Sequence, residues 1–136
     1  MASSWFSEGK RALMNKELDL DTDTLKVRAV FDTNYTFSDA TTTMTPIVGY
    51  TGSTDATLAS VDITTTPGTL GAADLSPAFS SLAQNSTDTI DALVVYHFNT
   101  NDAGSTPLVY IDLTSSVTPN GENINITWNA SGIASL

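Results

Sequence analysis

The chain has 136 residues, no cysteine, one histidine and a formal net charge of −10. That length fits one domain with a core of its own. The missing cysteines exclude a disulfide framework or a thiolate metal site, and the acidity works against nucleic-acid binding. All five bases, Lys10, Arg11, Lys16, Lys26 and Arg28, lie in the first 28 residues, where five acids balance them. The net charge therefore falls on the remaining 108 residues, which hold no Lys or Arg. Such a body repels other acidic bodies yet stays soluble at high local copy number, and it can dock through its differently charged end. Thr and Ser make up about a quarter of the chain, a composition that suits pleated surfaces better than helices. The expected fold class is all-β: an antiparallel sandwich or small barrel of about six to seven strands with one short N-terminal helix. No apolar run reaches the ~18–20 residues of a membrane span, and the first residues lack a signal-peptide h-region. A reducing cytoplasm, or a particle assembled there, suits that pattern.

In chain order, residues 4–16 carry the helix signal. Ser3 or Ser4 can cap it, Glu8 lies in its first turns, and Trp5, Phe6 and Leu13 give an apolar stripe. Gly9 weakens such a helix by about 1 kcal/mol relative to Ala. Residues 18–24 read as a polar turn. Leu25, Val27, Ala29 and Phe31 then alternate with Lys26, Arg28 and Val30 as a strand. Asp32 to Asn34 turns the chain, Tyr35 and Phe37 begin a short edge segment, and residues 38–46 are loop. Ile47, Val48 and Tyr50 suggest a short strand, and Ala59, Val61 and Ile63 another. Pro67, Gly68 and Gly71 break the pattern, and residues 72–86 carry no firm signal. Residues 90–98 form the most apolar run and read as a central strand buried on both faces. A loop over 99–107 precedes a strand at 108–113. The Pro119-Asn-Gly121 turn and the alternation over 123–128 make these last two strands the arms of a hairpin. The domain organisation is a single unit, 1–136: a helix and polar turn over 1–24 that can dock, and a β body over 25–136.

Motifs for chemistry are weak. Asp19, Asp21 and Asp23 form a D-x-D-x-D run, but an EF-hand also needs Gly at its sixth position and Glu at its twelfth. Here Thr24 and Val30 stand there, so a capped polar turn is the reading. His97 is alone and sits inside the strongest strand, which suits a structural or interfacial role better than a zinc site or a triad. No Gly-x-Ser-x-Gly elbow and no phosphate-cradling loop is present, and no pair of acids stands out for glycoside hydrolysis. Four sequons, at Asn34, Asn85, Asn125 and Asn129, read as products of a Thr- and Asn-rich chain. No catalytic, metal or cofactor residue is expected, nor an enzyme. The candidate partner-binding residues are Trp5, Phe6, Lys10, Arg11 and Lys16, since aromatic and Arg side chains favour interface cores. The opposing reading is that the two aromatics cover the end of the β core.

The stretches 12–27, with its L-D-L-D-T-D-T-L-K-V ending, 49–52 followed by Leu58 and Val61, 90–96, 107–112 and 124–133 resemble a type of tailed-bacteriophage structural protein. The resemblance is to small β-rich capsid decoration (cement) proteins and covers most of the chain, least clearly residues 65–88. It carries no catalytic signature. It implies a virion component on the capsid surface, assembled in the host cytoplasm. Its partner would be the major capsid protein, or a further copy of itself in a homo-oligomer, with no nucleic acid or membrane. Residues 1–31 would dock and the acidic body would face solvent. Neck, tail or fibre association is the alternative location. A carbohydrate-binding β module is the alternative of another class, although Trp5 and Trp128 are the only tryptophans and Trp128 reads as core.

Overall fold

The computed structural model describes residues 2–31, 35–84 and 88–136. The fold is all-β with one short helix, as expected, and nine strands are seen among the described residues. The strands are β1 (Ala2–Trp5), β2 (Leu25–Val30), β3 (Ala56–Thr57), β4 (Thr69–Leu70), β5 (Leu75–Phe79), β6 (Ile90–His97), β7 (Thr106–Val117), β8 (Ile124–Ile126) and β9 (Ala134–Ser135). The helix α1 is Ser7–Met14, and a single 3₁₀ turn spans Asp102–Gly104. A five-stranded antiparallel sheet runs β1-β7-β6-β2-β3, and two small ribbons pair β4 with β9 and β5 with β8.

Period-two alternation sends β2 and β6 side chains to opposite faces of the large sheet. Leu25, Val27 and Ala29 of β2, with Leu93 and Val95 of β6, point into the main core. The two ribbons supply Leu70, Leu75, Phe79, Ile126 and Ala134 from the other side. The opposite face carries Val30, Ala92, Val94 and Tyr96, which pack with Phe6, Tyr35, Met44 and Ile47. The loop over residues 35–50 thus forms a second cover. Phe37 stacks edge-on against Phe6 with ring centroids 5.1 Å apart, and it sits 4.9 Å from Tyr110. β6 lies between β7 and β2 with both faces covered, which is why its run is apolar at almost every position.

Several expectations are corrected. The predicted helix over 4–16 is shorter. Ser3 and Ser4 pair with β7 instead, and Phe6 takes the N-cap place with no side-chain cap bond. The free edge of β7 offers a backbone ladder, which outweighs a serine cap. At the other end Lys16 has φ 57° and stops the helix. The predicted hairpin between 108–113 and 123–128 does not form: β7 spends its two edges on β1 and β6, so β8 pairs with β5. β5 lies in the stretch that carried no firm signal, and its register shifts between Leu75 and Phe79, around Pro77, as proline in a ladder requires. Residues 59–63 are not a strand. The Asp62 carboxylate accepts from the N–H groups of Thr64 and Thr65 and from the Thr64 hydroxyl, a local turn that competes with a ladder. Only an isolated bridge from Asp62 to Gly71 remains there, and another from Val30 to Gly49 stands in for the strand expected at 47–50. Tyr35 and Phe37 are cover rather than edge strand. The turn at 32–34 and the sequon residues Asn34 and Asn85 lie outside the described residues.

Candidate functional site

The five residues singled out from the sequence are built into the fold to different depths. Phe6 is fully buried in the second core, so its side chain is not available to a partner in this conformation. Trp5 is half-buried at the end of β1 and donates its Nε1–H to the Ser135 carbonyl at 3.0 Å. Lys10, Arg11 and Lys16 are exposed. Arg11 grips two carboxylates, Glu8 at 2.5 Å and Glu17 at 2.6 Å. The bonds to Glu17 and then Glu8 hold the guanidinium well above the ordinary arginine pKa, while the Arg11 bond draws both carboxyls below theirs. The boundary expected at residue 24 is not a boundary in packing. Ala12, Leu18 and Leu20 share one core with Leu25 and Val27. α1 seats on β7 at Gly9, where a Cβ would meet the Pro107 carbonyl oxygen at 2.9 Å and Leu108 Cα at 3.0 Å.

The densest polar cluster is one that sequence reasoning passed over. Arg28 stands on the second face of β2 and is 8 % exposed. Its five N–H donors all have acceptors. Nε and Nη2 bond Asp55 at 3.0 and 2.8 Å; Nη2 and Nη1 bond Asp102 at 2.8 and 3.2 Å; Nη1 also bonds the Ile47 carbonyl at 2.7 Å. The Tyr96 hydroxyl donates to Asp55, and the guanidinium lies 5.3 Å from the Tyr96 ring centre. Burial opposes the Arg28 charge, but the bonds to Asp102 and Asp55 outweigh it and keep the pKa above the arginine norm. Burial first, then Asp55, pushes the Tyr96 hydroxyl upward. Gly49 makes room for the Arg28 stem, since a Cβ there would sit 3.2 Å from Arg28 Cγ.

This cluster ties the 44–55 loop and the 3₁₀ turn to the centre of the sheet. It floors an open depression of about 650 Å³, whose rim includes Lys26, Val48 and Phe98. Lys26 Nζ lies 3.9 Å from the Phe98 ring centre. With every Arg28 donor spent, the guanidinium cannot also take an anion, so the arrangement fastens loops. The available signal was a base at the middle of a strand buried at almost every position, with nothing in the local sequence to name Asp55 or Asp102 as its acceptors.

The D-x-D-x-D run is a turn. Asp23 Oδ2 accepts from the Asp19 N–H at 2.7 Å and Asp19 Oδ1 from the Asp21 N–H at 3.0 Å. His97 Nε2 lies 3.5 Å from Asp23 Oδ2, at the far end of β6. Among the described residues no three His, Asp or Glu side chains converge as a metal site would require. Trp128 is buried and spends its indole N–H on the Ala73 carbonyl. It offers no platform for a sugar ring. No family model matches the chain, and no match to it was found among the curated proteins or the solved structures.

Proposed function

We propose that the protein is a structural component of a bacteriophage particle that decorates and stabilises the outer surface of the capsid, with the major capsid protein as its partner. The observation that carries this reading is the partition of charge. The 108 residues after Arg28 contain acids and no Lys or Arg. Arg28 and Arg11 are spent on internal ion pairs. Lys10 and Lys16 therefore remain as exposed bases on α1 and just after it, and the fifth base, the half-buried Lys26, lies over the Phe98 ring. A protein crowded on a shell gains from that polarity: its outer parts repel one another while one end docks. Reinforcement then comes from contact area, about 1,600 Å² per standard interface, repeated over many copies. The resemblance of residues 12–27, 49–52, 90–96, 107–112 and 124–133 to decoration proteins supports the same reading. Those stretches are the scaffolding here: the end of α1 and β2, the Gly49 bridge, β6, β7 and the segment from β8 onward.

The test is quantitative mass spectrometry of purified particles, followed by adding the protein back to shells that lack it and measuring their heat resistance. Hundreds of copies and a gain in shell stability are expected. About a dozen copies would move the protein to the neck, tail or fibre base, and its absence from particles would overturn both locations.

A further inference from the structure

We propose that β1 is a self-association edge, and that two copies of this chain pair through it in antiparallel fashion to continue the large sheet across a two-fold axis. This inference stands independently of the capsid reading.

The argument begins with the hydrogen-bond phase of β1. Antiparallel pairs alternate between residues that bond each other and residues that do not. The Phe6 N–H bonds the Leu108 carbonyl at 2.8 Å, and the register runs Trp5–Val109, Ser4–Tyr110, Ser3–Ile111, Ala2–Asp112. Ser4 and Ala2, in step with Phe6, therefore turn their backbone groups toward β7. Ser3 and Trp5 turn theirs away, and among the described residues nothing bonds them. The result is an open edge with two donors and two acceptors.

That edge lacks the usual safeguards. Natural sheets blunt their edges with charges, proline, bulges or very short strands. β3, at the opposite edge, is two residues long and follows Asp55. β1 reads Ala-Ser-Ser-Trp, carries no charge or proline, and pairs without a register shift. Ser3 and Ser4 are exposed and Trp5 is only half-buried.

Charge selects the occupant. Two copies each carry −10, and a meeting of their acidic bodies is repulsive. β1 itself carries no ionisable side chain, and α1, which follows it directly, holds Lys10 and Arg11 against Glu8, so two copies that meet at this edge bring no acidic side chains of the paired strands together. The edge is also complementary to itself. With Ser4 of each copy facing the other on the axis, Ser3 of one opposes Trp5 of the other, and each such pair exchanges two main-chain bonds. That register uses every outward-facing group. It also brings Trp5 of the second copy beside Ser3, at a depression of about 210 Å³ lined by Ser3, Ile111, Trp128 and Ile133.

Sedimentation equilibrium of the isolated full chain tests this. The wild type is expected to dimerise reversibly. Ser3→Pro removes an outward N–H from each copy while leaving the bonds to β7 in place, and it is expected to raise the dissociation constant by about tenfold or more. Ser4→Asp and Ser4→Lys each place like charges on the axis and are expected to weaken the homodimer. Mixing those two variants is expected to restore a heterodimer, a recovery that a folding defect would not produce. A wild type that stays monomeric up to about millimolar concentration would overturn the proposal, as would a dimer indifferent to all three substitutions or a mixture that recovers nothing.

Discussion

Replacing Gly9 by Ala separates helix propensity from packing, and the two have opposite signs. Propensity alone favours Ala in a helix by about 1 kcal/mol. The new Cβ, however, would stand 2.9 Å from the Pro107 carbonyl oxygen, 3.0 Å from Leu108 Cα and 3.2 Å from Leu108 Cδ2. The two closest atoms are backbone of the chain entering β7, so neither can rotate away. α1 must lift, and the buried Ala12 on the same helix lifts with it. Overpacking of this kind costs roughly 1–3 kcal/mol. Set against the propensity gain, the net is about 1 kcal/mol of destabilisation, or roughly 3–5 °C in Tm for a chain of this length. Thermal unfolding followed by far-ultraviolet circular dichroism measures it, with Lys10→Ala as an exposed control expected to stay within about 0.5 kcal/mol of wild type. A Gly9→Ala protein that melts several degrees higher than wild type would show that propensity governs the position and that α1 does not seat on β7.

Two further outcomes follow from the polar groups. Arg28→Met should cost about 3 kcal/mol in urea unfolding, because it strands the Asp55 carboxylate among buried neighbours; adding Asp55→Asn should recover a good part of the loss, and a single-variant cost under about 0.5 kcal/mol would mean that the loop over 44–55 closes without the cluster. Asp62 is held well below the ordinary aspartate pKa, by the Thr65 side chain first and then by the Thr64 and Thr65 N–H groups. A depressed folded pKa stabilises the fold above the unfolded value and loses that contribution as pH falls toward the folded one. The stability gap between wild type and Asp62→Ala should thus be constant from pH 7 to 5 and narrow below about pH 4. An Asp62 carboxyl that titrates by NMR at the ordinary value would contradict the turn geometry.

The sequence by itself determined the elements whose signal is local. Period-two alternation gave β2, the unbroken apolar run gave β6 as a central strand, and Asp19, Asp21 and Asp23 read correctly as a turn because their acceptors lie two to four residues away. Composition determined the all-β class, and the position of the bases determined the charge polarity. Pairing was decided only by the tertiary structure. Alternation says that residues 123–128 can form a strand and a Pro-Asn-Gly turn says that the chain can reverse, but a strand has two edges, and those of β7 were taken by β1 and β6. The same competition drew Ser4 and Trp5 out of the expected helix, and Ser3 from its place as a candidate cap, into the sheet. The Arg28 cluster was hidden for a related reason: Asp55 and Asp102 are 27 and 74 residues away, and no local pattern records an ion pair that exists only once the loops fold over the sheet. Candidate surface residues divide the same way, since a helical stripe cannot distinguish an aromatic that faces a partner from one that fills a core, and Phe6 fills the core.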